Sequence, residues 1–467
     1  MGKMPVPQSE AGLYSRARMP TTTTLDVNPS GLTRVLVLGG GFGGAYCVQH
    51  LDKLLARRPN LRERVEVVLI DRNNYFTFSP LLTEAGTGSL APSHAVVGLR
   101  RFCRDARFLM AEVKDIDLKA RRVRYSLKGQ DAESEAAYDH LVLSMGTVTL
   151  KPPVPGLKEH GYEIKSLVDA ITLRDRAVQL LEHANAIDDA ELRRELLTVT
   201  IVGGSFTGVE VAGEFQQYMR EAAKQYPQLK PDDVRVVILN RGDQLLKALD
   251  PKLGEYTLKH LRRRGITVKL NTEAKTIHAT TVELSDGEHL PARTVVWAAG
   301  IAPNPSVKFF DVPTDQRGYI LCERDLRVKG YADAWGIGDA AVNPDAKGEA
   351  YPATAQSAVQ QAKICARNIV RVLEGEETEE ANFGDKGQLA AFGRGDAVAQ
   401  VFGQTITGWP AWFLWRTVYL MKMPGFGRKL RVAADWTLDL FTRRDFVELG
   451  IHRAEVEATG ENDDASS

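Results

Sequence analysis

Arg34-Val35-Leu36-Val37-Leu38-Gly39-Gly40-Gly41-Phe42-Gly43-Gly44-Ala45 is an apolar, β-branched run that ends in G-x-G-x-x-G and passes straight into a helix-compatible segment, Ala45 to Leu55. Strand, tight turn and helix in that order can cradle a pyrophosphate. Gly39 permits the turn, Gly41 lets the backbone approach the phosphates, and Gly44 lets the helix pack close to the strand. The helix N-terminus adds free N–H groups and a partial positive charge. Glycine-rich turns also arise for structural reasons alone, so the stretch takes its meaning from what lies further along.

Two features supply it. Val65-Glu66-Val67-Val68-Leu69-Ile70 reads as a second buried strand and ends at Asp71, 27 residues beyond Gly44. A carboxylate there can accept hydrogen bonds from an adenosine ribose. The second feature is a repeat, Thr198-Val199-Thr200-Ile201-Val202-Gly203-Gly204-Ser205-Phe206-Thr207-Gly208-Val209-Glu210. It aligns with the opening stretch and leads into a helix over Val211–Gln225 and a strand over Val234–Leu239. One chain with two such units needs two nucleotide sites, or one site and a vestige.

Around these units the chain divides readily. Residues 1–31 read as a disordered tail, with a targeting peptide as the alternative: basic residues and a Thr21–Thr24 tract, without the apolar core of a secretory signal. Val6 stands where myristoylation needs Ser or Thr. Residues 32–150 form the first part of one nucleotide-binding domain, including an aromatic, proline-stopped loop (Asn74–Leu82) and short strands over 105–145. The stiff link Lys151–Gly156 opens a second nucleotide-binding domain over 151–317, with a helix over Ala170–Ile187 and a closing strand ending at Gly300. Residues 318–381 return to the first domain with Ala334-Trp335-Gly336-Ile337-Gly338-Asp339, a helix from Ala355 to about Leu373 and a solvated acidic loop, Glu374–Glu380. A separate element follows over 382–450, and 451–467 form a second disordered tail.

Composition narrows the function classes. Sixty basic residues balance sixty acidic ones in 467, so no global field points to nucleic acid. Cys47, Cys103, Cys322 and Cys365 are too widely spaced for a dithiol or zinc motif, and the nine histidines show no ligand spacing, so no metal is expected. No run of 18 apolar residues exists.

The chain resembles the two-dinucleotide-binding-domain flavoproteins and, among them, the type II NADH:quinone oxidoreductases. The likeness rests on the paired glycine motifs, Phe78-Ser79-Pro80-Leu81-Leu82, Tyr138-Asp139 with the strand ending at Gly146, Gly338-Asp339, and A-Q-x-A-x-Q at Ala355–Gln360. It implies an α/β fold of two Rossmann-like domains, glutathione-reductase-like, plus a C-terminal amphipathic helical membrane-anchoring element. It implies that FAD is held by Gly39, Gly41, Phe42, Gly43, Gly44, Asp71, Arg72, Pro80, Val113, Gly146, Gly338 and Asp339. The second fingerprint, with Gly203, Gly208, Asn240, Arg241 and Gly300, would take the nicotinamide nucleotide. Glu210 would lie where nicotinamide and isoalloxazine meet, although an acid near a helix N-terminus can also be purely structural. Ala355, Gln356 and Gln360 would flank the flavin on the quinone side, and Lys386 resembles a lysine near the flavin.

The repeat departs from the family pattern. Ser205 adds a side chain where backbone should approach phosphate, and Asn240, followed by Arg241, stands in place of the second ribose acid. An acid there repels a 2′-phosphate, whereas Asn beside Arg tolerates or attracts one, so the donor is NADH with NADPH open.

In the tail, Trp412, Phe413, Trp415, Tyr419 and Leu420 make one broad apolar face, and a second helix near Leu430–Phe441 carries Leu430, Ala434, Trp436, Leu440 and Phe441. Lys422, Arg428, Lys429, Arg431, Arg443 and Arg444 surround them with positive charge, as suits helices lying in the headgroup region of an anionic membrane; the alternative is a core or dimer-interface helix. Arg416 breaks the first run, which is too short to span.

The implied activity is hydride transfer from NADH, or NADPH, to FAD and two electrons onward to a membrane quinone, without proton pumping. The implied setting is a peripheral homodimer on the cytoplasmic face of a bacterial inner membrane, or an organellar membrane in a eukaryote. Two alternatives share the fold: a sulfide:quinone-type reductase, which needs redox cysteines by the flavin, and a redox sensor with incidental turnover.

Overall fold

The computed structural model describes residues 31–450, so the readings of the N-terminal stretch and of residues 451–467 fall outside the described residues. Two sheets organise the chain, the second all-parallel and the first parallel except for its last two strands, which pair antiparallel. The first is seven-stranded, in the order Ala334–Gly336, His140–Leu143, Thr33–Leu38, Val65–Asp71, Arg107–Asp117, Arg122–Leu127, Glu133–Ala137. Its central strands pair in parallel, Val35 opposite Val67 and Val37 opposite Val142. Both faces are covered, which is why these strands are continuous apolar runs and not alternating ones. The chain returns to this sheet through Ala334–Gly336, which pairs with His140–Leu143.

The second sheet has five parallel strands: Gly161–Tyr162, Thr294–Trp297, Thr198–Val202, Arg235–Asn240 and Thr267–Leu270. An antiparallel pair, Thr147–Thr149 with Ile301–Pro303, carries the chain from one unit to the other and back.

The helices begin where their caps dictate. α1 (Phe42–Leu55) starts three residues before the expected Ala45, because Gly41 is already its N-cap. The expected loop Asn74–Leu82 contains a short strand, Tyr75–Thr77, and leads into α2 (Leu82–Gly86). α3 (Leu167–Asn185) opens on a capping box between Ser166 and Asp169. α4 (Phe206–Ala223) starts directly after Ser205. α5 (Ala355–Leu373) is capped by the Thr354 hydroxyl, which accepts from the Ser357 N–H. α1 and α5 lie side by side, with Cys47, Ala362, Cys365 and Ala366 in the fully buried core between the sheet and the tail.

The tail does not begin as helix. Gln388–Ala391, Ala397–Val401 and Gln404–Thr407 form an antiparallel sheet with tight glycine turns at Gly393, Gly395 and Gly403, all at positive φ. Two helices follow, α6 (Trp409–Lys422) and α7 (Phe426–Phe441).

Their orientation corrects the expected single apolar face. Trp412, Trp415 and Trp436 are buried in the core, while Trp409, Phe413, Met421, Phe426, Leu430 and Phe441 face outward. Arg416 is no interruption of that face. It lies buried between the rings of Trp412 (4.1 Å) and Trp436 (4.9 Å), within reach of Glu84 (3.9 Å) and Asp439 (3.8 Å). Arg444 is buried as well and is no surface charge: it pairs with Asp439 at 2.9 Å and Glu214 at 3.5 Å. Ion pairs of α2, α4, α6 and α7 thus join both nucleotide-type units to the tail. The chain then crosses α3, where Arg174 donates to the carbonyl of Asp445 and Asp175 accepts from the Leu449 N–H.

Candidate functional site

The two glycine turns share one backbone geometry. A Cβ on Gly44 would sit 1.8 Å from the Gly39 carbonyl oxygen, and one on Gly208 would sit 1.9 Å from that of Gly203. Gly39 and Gly203 both need positive φ, and their N–H groups donate to the carbonyls of Ile70 and Leu239. The next N–H of each turn donates to the residue ending the second strand: Gly40 to the Asp71 carboxylate at 2.6 Å, Gly204 to the Asn240 amide oxygen at 3.2 Å.

The first turn fits a dinucleotide. A Cβ on Gly41 would meet nothing within 4 Å, so this glycine faces open space where a phosphate can approach. Gly43 packs against the Ser144 hydroxyl at the end of the His140–Leu143 strand, and Gly146 follows at positive φ. Asp71 also accepts from the Asn73 N–H at 2.7 Å, and burial raises its carboxyl above the ordinary range. Arg72 beside it is exposed, and Val113 lies half-buried on the Arg107–Asp117 strand, three residues past the partner of Asp71.

Gly338-Asp339 lies on the same edge of this sheet. Gly338 takes positive φ and donates its N–H to the buried Gln361 side chain at 2.7 Å. The Asp339 carboxyl is raised by burial, opposed by Lys165, and makes no hydrogen bond among the described residues. A carboxylate held half-buried and free of protein donors suits a hydroxyl-bearing ligand.

At the second turn, Ser205 is exposed, with its hydroxyl donating to the Ala298 carbonyl at 3.4 Å. Gly300, at the end of that unit, is at positive φ against Leu150.

Between the turns lies a cavity of about 540 Å³. It gathers residues that the sequence distributes over more than three hundred positions: Phe42 and Pro80, Glu210, Ala355, Gln356 and Gln360, and Lys386. Aromatic rings form much of its wall, with Phe78 edge-on to Tyr419 and Tyr351 stacked on Phe383 at 3.9 Å. Gln356 donates to Asp385 at 3.0 Å, so its amide is oriented from below by the loop bearing Lys386. Lys386 and Lys422 are both at the rim, and burial together with Lys386 lowers the Lys422 ammonium.

Glu210 differs from a helix-cap acid in two respects. It lies in the second turn of α4, beyond the free N–H groups, and its carboxyl is pushed up to about 8. A helix dipole would lower it. The cause is burial of the carboxyl at the back of the cavity, augmented by Glu84 and Glu214. Glu84, on α2 behind it, accepts from the Trp436 indole at 2.7 Å and is pushed up to about 7, again chiefly by burial.

Sequence reasoning missed Gln361, Ser144, Glu84 and the cavity side of Tyr419 and Lys422. Gln361 carried a signal, as an amide adjoining A-Q-x-A-x-Q, whereas Glu84 lies just past the Asn74–Leu82 loop with no motif around it. The four cysteines are buried and none lines the cavity. Among the described residues no cluster could hold a metal, and no helix is long and apolar enough to cross a membrane.

Comparison with known proteins shows the family and the fold. Residues 33–362 match the pyridine nucleotide-disulphide oxidoreductase family, and residues 386–445 match the NDH2 C-terminal domain. The chain is 31% identical over 412 residues to the demethylphylloquinone reductase NdbB of Synechocystis sp., covering 86% of this chain and 95% of that protein. It is 30% identical to the type II NADH:quinone oxidoreductase of Staphylococcus aureus, covering 84% and 96%. Its fold is similar to that of NDH2 from Plasmodium falciparum, solved in complex with NADH, with a TM-score of 0.83 at 19% identity over 89% of this chain and 99% of the other.

Proposed function

The chain belongs to the pyridine nucleotide-disulphide oxidoreductase family, in its type II NADH:quinone oxidoreductase branch, and from that premise we infer that it is an FAD-dependent enzyme taking a hydride from NADH and passing two electrons to a quinone. FAD, when bound, supplies the hydride-accepting and electron-passing chemistry, and the protein supplies position, electrostatics and exclusion of water.

The observation that carries the assignment of residues is the shared cavity. It adjoins the first glycine turn through Phe42 and the second through Phe206, Thr207 and Glu210, so one space can serve a flavin, a nicotinamide and an acceptor. In our reading Gly39, Gly41, Gly43, Gly44, Asp71 and Asp339 hold FAD, and the Gly203–Gly208 turn holds the donor. Gln356 and Gln360 offer amide N–H groups to a quinone oxygen, and Asp385 keeps the first of them aimed. Glu210, neutral at pH 7, holds a proton next to the reacting groups without placing a second negative charge there. Lys386 and Lys422 favour an anionic product at the rim.

The outer residues of α6 and α7, with Lys422, Arg428, Lys429 and Arg431, support docking on an anionic membrane surface, where a lipid-tailed quinone resides. We propose a homodimer at the cytoplasmic face of a bacterial inner membrane, or at an organellar membrane in a eukaryote. Removal of residues 409–467 is a poor test of docking, because it would also strip Trp412, Trp415 and Trp436 from the core. The test of the activity is NADH oxidation by the purified yellow protein with and without a soluble quinone. Rapid, quinone-dependent turnover is expected. Slow NADH oxidation indifferent to quinone would sink the assignment and favour a sensor.

A further inference from the structure

The end of the Arg235–Asn240 strand is built differently from its counterpart at Asp71. There, a carboxylate takes both the turn N–H of Gly40 and that of Asn73. Here the Asn240 amide does the structural part of that task without the charge: its oxygen accepts from the Gly204 N–H, and its NH₂ donates to the carbonyls of Gly242 at 2.9 Å and Gln244 at 3.0 Å. Every polar position of the side chain is thereby engaged in shaping the 240–244 loop. The residue is fixed, half-buried and neutral.

Arg241 follows on that loop with its side chain 87% exposed. Its one ion-pair partner among the described residues, Glu273, is 3.9 Å away and is held more closely by Lys275 at 2.9 Å. The guanidinium therefore lies largely uncommitted at the point where, in a Rossmann unit, the adenosine ribose ends. Asp243 is the exposed acid on the same loop, and Lys247 is exposed a turn further on. Guanidinium groups bind phosphate through paired N–H donors, a geometry a lysine cannot reproduce.

We propose that the second nucleotide site accepts a 2′-phosphorylated donor, NADPH, as well as NADH, with Asn240 removing the charge that would repel the 2′-phosphate and Arg241 binding it. This rests on the reading of that turn as the donor site. The donor's hydride and the quinone's two-electron reduction are the same for either nucleotide, so the step balances without a further reactant.

Two measurements on the full-length flavin-loaded protein decide it. The first is kcat/KM for NADPH and NADH with a soluble quinone, in the native chain and in Arg241→Ala. NADPH should support turnover, and the NADPH/NADH ratio should fall by roughly five- to thirtyfold in the variant, the loss expected for one exposed charge-assisted hydrogen bond. The second is direct binding of 2′,5′-ADP against 5′-AMP, which differ only in the 2′-phosphate. Tighter, salt-sensitive binding of 2′,5′-ADP that Arg241→Ala abolishes is expected. An unchanged ratio in the variant, NADH turnover without NADPH turnover, or equal binding of the two adenosine phosphates overturns the proposal. If neither donor reduces quinone, the functional reading falls, and the adenosine phosphate comparison still decides whether this loop reads a 2′-phosphate.

Discussion

Replacing Glu210 with Gln removes a titratable group while keeping its size and polarity. With its carboxyl pushed from 4.5 up to about 8, Glu210 carries its proton at pH 7 in about tenfold excess over the ionised form. At pH 9 that ratio is inverted. The cause is structural: burial raises the carboxyl, Glu84 and Glu214 near it add to that, and the Ala391 backbone and the Trp415 indole oppose it only in part. If the neutral acid is the active form, quinone reduction should be flat from pH 6 to 7.5. Above about 8 it should fall tenfold per unit, as for loss of one essential proton. Glu210→Gln should lower kcat by roughly 10²-fold or more, the usual scale for a positioned acid, and erase the alkaline limb. The assay is steady-state turnover with a soluble quinone across pH 5.5–9.5, with flavin content measured in each sample. Superimposable pH profiles for the native chain and Glu210→Gln, even at reduced rate, would refute the reasoning.

Three further perturbations test other parts of the structure. Glu84, buried and pushed up to about 7, favours its protonated form only in the folded state. Its stability contribution is therefore complete below pH 4.5 and is lost as the pH rises through about 7, an effect on the order of 3 kcal/mol. Glu84→Gln keeps an acceptor for Trp436, so the unfolding midpoint of this variant should gain on the native one between pH 5 and 8, and a constant difference across that range would count against it. Gly41→Val should leave the apoprotein folded, at a cost of about 1 kcal/mol for a poor N-cap, yet strip flavin absorbance at 450 nm from the purified protein; full flavin occupancy would mean that phosphates do not approach that glycine. Finally, Phe413, Phe426 and Phe441 changed together to Glu should lower co-sedimentation with anionic vesicles by more than about a hundredfold, since each inserted aromatic contributes about 2 kcal/mol. Unchanged sedimentation would remove the membrane role of that face.

Much of the first nucleotide unit could be read from residues alone, because each feature is local. Gly39, Gly41 and Gly44 act within one turn, and Asp71 needs only to end the next strand. The return of the chain at Gly338-Asp339 was likewise legible as strand, turn and acid. Asn240 and Arg241 stood out as a departure, but only the folded loop reveals that the amide is fully engaged while the guanidinium is not.

The tail marks the opposite case. Trp409, Trp412, Phe413 and Trp415 supply apolar surface on more than one side of α6, so helical periodicity could not say which side meets the protein. The buried acids Glu84 and Glu214 lie about two hundred residues or more from Arg416 and Arg444, which they face, and long-range pairing leaves no periodic signal. By itself, then, the sequence determined two glycine-led α/β units, their order, and a tail of another kind, since short-range geometry requires particular residues there. Only the tertiary structure decided which tryptophans are core, which arginines are buried, and that Glu210, Gln356, Gln360 and Lys386 share one cavity. Those facts depend on which distant surfaces exclude water from one another, a property of the packed chain and not of any segment.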